Sequence, residues 1–197
     1  DCINKERQKV ERETFRQARE LFERSLDVEL PAGSKVPGGL LKYAPEAPRV
    51  IVLAHDEWNP GVVGIVASRM VERYYMPCVI VALQGDAGRG SCRSIRDFHM
   101  VDALRQCGQL LLNYGGHRVA AGITIARENI DALRDELDRV ARATLSAEEY
   151  VPVLNIDAEC ALGEMTLDFC SLLEQFKPYG QGNPRPCFLA RDVKLTD

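Results

Sequence analysis

Three short segments hold residue types that could grip an anion. The first is GRGSCRS, Gly88–Ser94. Its glycines let a ligand come close to the backbone. Ser91 and Ser94 offer hydroxyls, and Arg89 and Arg93 offer the planar guanidinium fork that pairs with phosphate. The competing reading is an edge strand with solvated arginines. The second is YGGHRVAAG, Tyr114–Gly122. A turn at Gly115 and Gly116 can present backbone N–H groups to an anion, with His117 as a further donor; the plainer alternative is a glycine turn with a surface histidine. The third surrounds the only tryptophan, Trp58, beside Asn59. Trp58 could stack on a nucleobase, or it could cap a helix or fill a gap in the core.

Charge favours a localised anion site. The chain of 197 residues carries a formal net charge of -4. Between Arg89 and Arg118 five arginines face only Asp97 and Asp102, so this window is net positive within an acidic protein. A complete catalytic constellation is missing. The three histidines, His55, His99 and His117, are far apart and show no metal-ligand spacing. No phosphate-binding P-loop and no nucleophile elbow occurs. No catalytic and no metal-ligating residue is therefore assigned. Seven scattered cysteines without a C-x-x-C pair suggest buried thiols in a reducing cytoplasm rather than a disulfide frame or a zinc site. No apolar run approaches a membrane span, and the charged N-terminus does not resemble a signal peptide.

An α/β architecture is needed to position these segments. Periodicity predicts a helix over 4–29 with Asn4 as its cap, then a Pro- and Gly-rich linker or wrapping loop. RVIVLA at 49–54 and CVIVAL at 78–83 read as buried strands joined by a helix that starts near Pro60, a β-α-β order that suggests parallel pairing. GRGSCRSI reads as a glycine-containing strand or loop. VDALRQCGQLLLNY reads as helical in parts, interrupted at Gly108, and AAGITIA contains a strand. Residues 127–145 form an amphipathic helix whose stripe of Ile130, Leu133, Leu137, Val140 and Ala141 is core packing, with Asp135–Arg139 and Asp138–Arg142 pairs on the solvated side. Beyond Ser146, VPVLNIDAEC reads as a strand, LDFCSLLEQF as a helix and FLARDVKLTD as a last strand. One or two strands with nothing to close them are not stable alone, so the sequence is expected to be part of something longer. The predicted fold class is a mixed sheet flanked by helices, with a connector helix and linker over 1–48, the sheet domain over 49–146 and an incomplete β-rich segment over 147–197.

The segments EWNPGVVGIVASRMVERYYMPCVIVA, GRGSCRSI with FHMVDAL, and YGGHRVAAGITI, in this order, resemble the DHH-associated domain of RecJ-type exonucleases of the DHH superfamily. FKPYGQGNPRPCF resembles the joint at which that family enters its OB-fold domain, and the opening helix resembles its long connector. The resemblance spans nearly the whole chain. It implies 5′-to-3′ degradation of single-stranded DNA by phosphodiester hydrolysis, in repair and recombination in the cytoplasm. It implies Mn²⁺ or Mg²⁺ held by an upstream DHH domain, which these residues do not include, so the chain by itself is expected to be inactive. It also implies phosphate binding at Ser91, Arg93, Gly115, Gly116 and His117; residue type and place in the segments add Ser94, with Arg89, Trp58 and Asn59 as weaker candidates. Cys92 stands where the family pattern leads one to expect a small residue. Two alternatives stay open: a DHH phosphodiesterase for short oligonucleotides or cyclic dinucleotides, and a non-catalytic nucleic-acid-binding relative of RecJ.

Overall fold

The computed structural model describes residues 2–26, 28–31, 33 and 35–194, with the side chains of Cys2 and Ile3 left aside. The chain divides into two compact units, residues 1–152 and 153–197.

The first unit is an α/β layer structure around a five-stranded mixed sheet of order β1-β2-β3-β5-β4. Its central strand β2 (Cys78–Gln84) is apolar along nearly its whole length because both its faces are buried. β1 (Ile51–His55) runs parallel to it, joined through α2 (Val63–Tyr74). The β-α-β reading is therefore correct. α2 stops where Tyr75 enters the left-handed region at φ 51° and its N–H reaches Val71 O. β3 (Ala87–Arg93), β5 (Ala120–Ala126) and β4 (Leu111–Gly116) then pair antiparallel. GRGSCRS is thus an inner strand, not an edge.

The two faces of the sheet are covered unequally. α2 lies over β2 and β3 on one face, and α1 (Cys2–Arg24) packs outside α2. On the opposite face α3 (Met100–Gln106) and α4 (Ile130–Thr144) contact β1, β4 and β5. The α4 stripe is buried as expected. Arg142 pairs with Asp138 at 2.6 Å, whereas Arg139 chooses Glu136 at 2.6 Å in place of Asp135. On the α2 face, β4 and β5 have no helix over them, and Asn113, Gly115 and Gly122 are exposed.

Several boundaries differ from the sequence reading. α1 already includes Asn4, which accepts a hydrogen bond from Arg7 at 3.0 Å and is no cap. α1 also ends at Arg24, not 29. The following loop wraps the core: Val36, Leu40, Leu41, Ala44 and Ala47 are buried, and Val36 N–H donates to Arg73 O. Arg73 is buried and reaches Glu23 of α1 and Gly33 O, which ties helix, loop and α2 together. The leucine-rich stretch after Gly108 forms a short 3-10 turn and then β4, not a continuing helix. Cys78, Cys92 and Cys107 are buried, and burial pushes the Cys92 thiol up to about 12; Cys170, in contrast, is exposed.

The second unit holds α5 (Leu167–Glu174), capped by Thr166, and a two-stranded parallel sheet of β6 (Ala158–Glu159) and β7 (Phe188–Leu189). Phe169 meets Phe188 edge-on at 5.4 Å. Both strands are much shorter than predicted, and residues 195–197 of the last predicted strand lie outside the described residues.

Candidate functional site

The register of β3, β5 and β4 explains how the two glycine-containing motifs meet. Side chains of directly paired residues project from the same face of a sheet. Ser91 pairs with Gly122, and Gly122 pairs with Gly115. These three residues form one row on the α2 face, running from Ser91 beside α2 to the exposed Gly122 and Gly115. One step along the strands, Arg89, Thr124 and Asn113 form a parallel row. One step in the other direction, Arg93 pairs with Ala120, and His117 N–H donates to Ala120 O at 2.7 Å. Arg93 and His117 thus flank the same residue of β5, about 10 Å apart across two strand spacings. Ser91 and Gly115, 24 residues apart in sequence, share one patch of sheet.

Two hollows lie side by side on this face. One, of about 450 Å³, sits between β3 and the first turn of α2 and is lined by Pro60, Gly61, Gly64, Ser68, Ser91 and Arg93. The other, of about 500 Å³, lies over β5 and β4, with Asn113, Gly115, Gly122 and Thr124 in its lining. Arg89 borders both. The first turn of α2 directs the positive end of its helix dipole at the inner hollow.

Arg93 is held in place by its own protein. Its Nε donates to Ser68 Oγ at 3.2 Å, and its Nη1 donates to Ser91 Oγ at 3.0 Å and Cys92 O at 2.8 Å. Among the described residues Nη2 has no hydrogen-bond partner, and neither Arg89 nor Arg93 has a carboxylate within 4 Å. The ion pairs among the described residues of this unit involve other arginines and His99. Two guanidinium groups without counter-charges, Arg93 held in place and Arg89 beside it, leave a positive field on this face. Gly64 makes room for Ser91 and Arg93: a Cβ there would meet Ser91 Oγ at 3.2 Å and Arg93 Nη2 at 3.3 Å.

The glycines of this patch have different reasons to be glycine. Gly90 faces the core, where a Cβ would approach Ile123 to 2.7 Å. Gly116 bends the chain at φ 147°, and its Cβ would fall 2.5 Å from Ala120 O. Gly115 has nothing within 4 Å of where its Cβ would be, and Gly122 has only Gly90 O at 3.8 Å. The fold does not require glycine at either of these two positions, although opposed glycines weaken a strand pair. Gly116→Ala is therefore expected to cost about 1–3 kcal/mol of stability. Gly115→Ala, its direct neighbour, should leave stability unchanged or slightly higher. Urea unfolding of the two variants separates the roles, and equal losses would show that both glycines serve the fold.

The other sequence candidates divide. Trp58 is buried at 3% exposure, donates Nε1–H to Gln17 Oε1 at 3.0 Å and stacks on His55. It fills the seam between α1 and the β1–α2 loop, so it has no face free for a base and is removed from the site. Asn59 is exposed, and its side chain accepts from Gly61 N–H at 2.8 Å, shaping the turn that leads into α2. Ser94 donates to Phe98 O at 2.9 Å and lines neither hollow, so its bond serves the loop after β3. His117 is exposed at the end of the Gly116 bend. The sequence reading overlooked Gly64, Ser68, Asn113, Gly122 and Thr124 as site residues. Among the described residues no three His, Cys, Asp or Glu side chains come together as a metal-binding group.

This geometry is that of an α/β domain that sets cationic and polar side chains on a glycine-floored sheet face. Residues 47–143 match the DHHA1 domain, and residues 156–197 match the RecJ OB domain. The single-stranded-DNA-specific exonuclease RecJ of Bacillus subtilis is 35% identical over 199 residues, covering 100% of this chain and 23% of the relative. The RecJ of Escherichia coli is 32% identical, covering 95% of this chain and 31% of the relative. A crystal structure of Thermus thermophilus RecJ in complex with Mn²⁺ superposes with a TM-score of 0.71 at 30% identity, over 94% of this chain and 24% of that one. The chain therefore belongs to the RecJ family, and it spans about a quarter to a third of the length of the curated relatives it matches. No helix among the described residues is long and apolar enough to cross a membrane.

Proposed function

We propose that this chain is the nucleic-acid-binding part of a 5′-to-3′ exonuclease for single-stranded DNA. In this reading the inner hollow holds a phosphate group. Arg93 and Ser91 grip it, Arg89 and the dipole of α2 add positive field, and the glycine floor lets the strand lie against the sheet. One observation carries the reading: two arginines without carboxylate partners flank a floor of opposed glycines in a protein of net charge -4. The sheet domain over 49–146 would do the gripping, the helix and loop over 1–48 would brace it, and residues from 147 onward would open the OB-like part. Hydrolysis of the phosphodiester would fall to Mn²⁺ or Mg²⁺ in a separate DHH domain, consistent with the Mn²⁺ and Mg²⁺ complexes of the Thermus thermophilus protein. This part then contributes by fixing where the scissile bond sits. The chain alone is expected to release no nucleotide in either metal. The cytoplasm is the matching location.

Fluorescence anisotropy with a 5′-phosphorylated thymidine 12-mer and with a duplex of equal length tests this directly. The single strand should bind more tightly, and its log affinity should fall with log salt by about 0.7 for each phosphate held. A preference for the duplex, or binding indifferent to salt, would sink the reading.

A further inference from the structure

The two hollows form one trough with unlike ends. The row Ser91–Gly122–Gly115 is its floor. The row Arg89–Thr124–Asn113 runs along one side, and Arg93 lies along the other. At the β3 end the trough is closed by the turn into α2, Pro60 and Gly61, and by Gly64 of its first turn. At the other end it opens at β4, which lies at the margin of the sheet. The floor crosses three strands, about 10 Å between its outer members, which is more than one phosphate group needs.

A β-bulge decides what lines the open end. Leu111 pairs with Ile125, yet Asn113, two residues on, pairs with Thr124, only one residue on. Leu112 is the extra residue, and it is 64% exposed. Without the bulge Leu112 would stand opposite Thr124 on the open face, and Asn113 would turn toward the core beside Ile123. The bulge instead aims an amide into the trough, opposite a hydroxyl and in line with a guanidinium. Bulges of this kind re-aim side chains beside functional sites.

Resting on the proposed function, we propose that Arg89, Thr124 and Asn113 form a second nucleotide subsite, which holds the sugar-phosphate of the nucleotide next to the one gripped by Arg93 and Ser91. The closed end takes the terminal nucleotide, and the strand leaves over Gly122 and Gly115 across the margin of the sheet. Arg89, which borders both hollows, lies between the two nucleotides. Thr124 and Asn113 line only the outer hollow and so meet only the second.

Ligand length is the test. Thymidine 5′-monophosphate and the 5′-phosphorylated thymidine trinucleotide are titrated by NMR into the unaltered chain, into the Thr124→Val/Asn113→Ala double variant and into Arg93→Ala. The double variant should lose about tenfold in trinucleotide affinity, two ordinary hydrogen bonds' worth, and less than about twofold in mononucleotide affinity. Arg93→Ala should weaken both ligands alike. Equal losses for both ligands in the double variant, or no loss for either, would overturn the subsite and leave the Arg93 site standing. If the unaltered chain binds neither ligand, the subsite and the proposed function fall together. Thr124→Val and Asn113→Ala made singly, at positions with open space before them, supply the same comparison should the double variant fold poorly.

Discussion

Gly122→Val is expected to cost about a hundredfold in affinity for single-stranded DNA while leaving the chain folded at least as stably as before. The two effects have opposite signs because they arise on different sides of the same Cα. On the protein side a Cβ at this position meets only Gly90 O at 3.8 Å, and the backbone keeps an ordinary extended φ. Valine suits a strand better than glycine, which gives up conformational entropy and packs nothing, so the chain should gain about 0.5–1 kcal/mol. On the ligand side the new methyl groups rise from the middle of the floor, between Ser91 and Gly115. A strand lifted off that floor loses its reach to Arg93 and Ser91. Charge-assisted bonds are worth roughly 1.5–3 kcal/mol each, and losing the better part of two accounts for about a hundredfold. Urea unfolding and anisotropy on the same preparation read both effects. Native affinity in the variant would mean that DNA does not touch the floor. A clear loss of stability would mean that Gly122 is glycine for the fold.

The elements that were legible in the sequence are those whose hydrophobic phase is unbroken. β1 and β2 are continuous apolar runs, and α4 repeats its stripe without a fault from Ile130 to Ala141. β4 was hidden because its phase changes partway. Leu110, Leu111 and Leu112 in succession fit a helix as well as a strand, and only the bulge at Leu112 lets Leu111 and Tyr114 face the core while Asn113 and Gly115 face out. A bulge depends on the partner strand, which a local reading does not contain. The end of α1 was misplaced for a related reason. Its apolar spacing continues to Leu26, yet the chain turns after Arg24 to place Val36 against Arg73 of α2.

The site was half legible. Ser91 and Arg93, Gly115 and Gly116 lie in segments whose residue types announce polar donors and a bend. Their companions lack such a signature. Gly122 sits among small and apolar residues and becomes a floor only because it pairs with Ser91 on one side and Gly115 on the other. Gly64 matters because α2 places it over β3. For Trp58 the sequence left base stacking and core filling both open: its partner Gln17 lies 41 residues earlier in the chain, and nothing near Trp58 in sequence indicates that α1 covers it.

Arg93→Ala should weaken single-stranded DNA binding by about ten- to a hundredfold, the loss of one charge-assisted guanidinium–phosphate contact of roughly 1.5–3 kcal/mol. The dependence of log affinity on log salt should flatten by about 0.7, one phosphate's worth for a single strand. Because phosphates carry no base information, the loss should be the same for thymidine and mixed-sequence strands. Sequence reasoning places this arginine in an open cleft and expects a stability change below about 0.5 kcal/mol, as for surface substitutions. The structure revises that figure upward. Arg93 is partly buried and ties β3 to α2 through Ser68 Oγ, besides its bonds to Ser91 Oγ and Cys92 O. Removing three bonds of this kind leaves two hydroxyls and a carbonyl to find water, and about 1–2 kcal/mol of stability should go with them. Arg93→Lys distinguishes the roles. It keeps the charge but loses the planar fork that reaches Ser68, Ser91 and a phosphate from separate nitrogens. It should restore most of the salt slope while recovering only part of the affinity. Thermal unfolding, anisotropy at several salt concentrations and both variants together give the answer. An Arg93→Ala protein with native affinity and an unchanged salt slope would make this arginine a brace between β3 and α2 and nothing more.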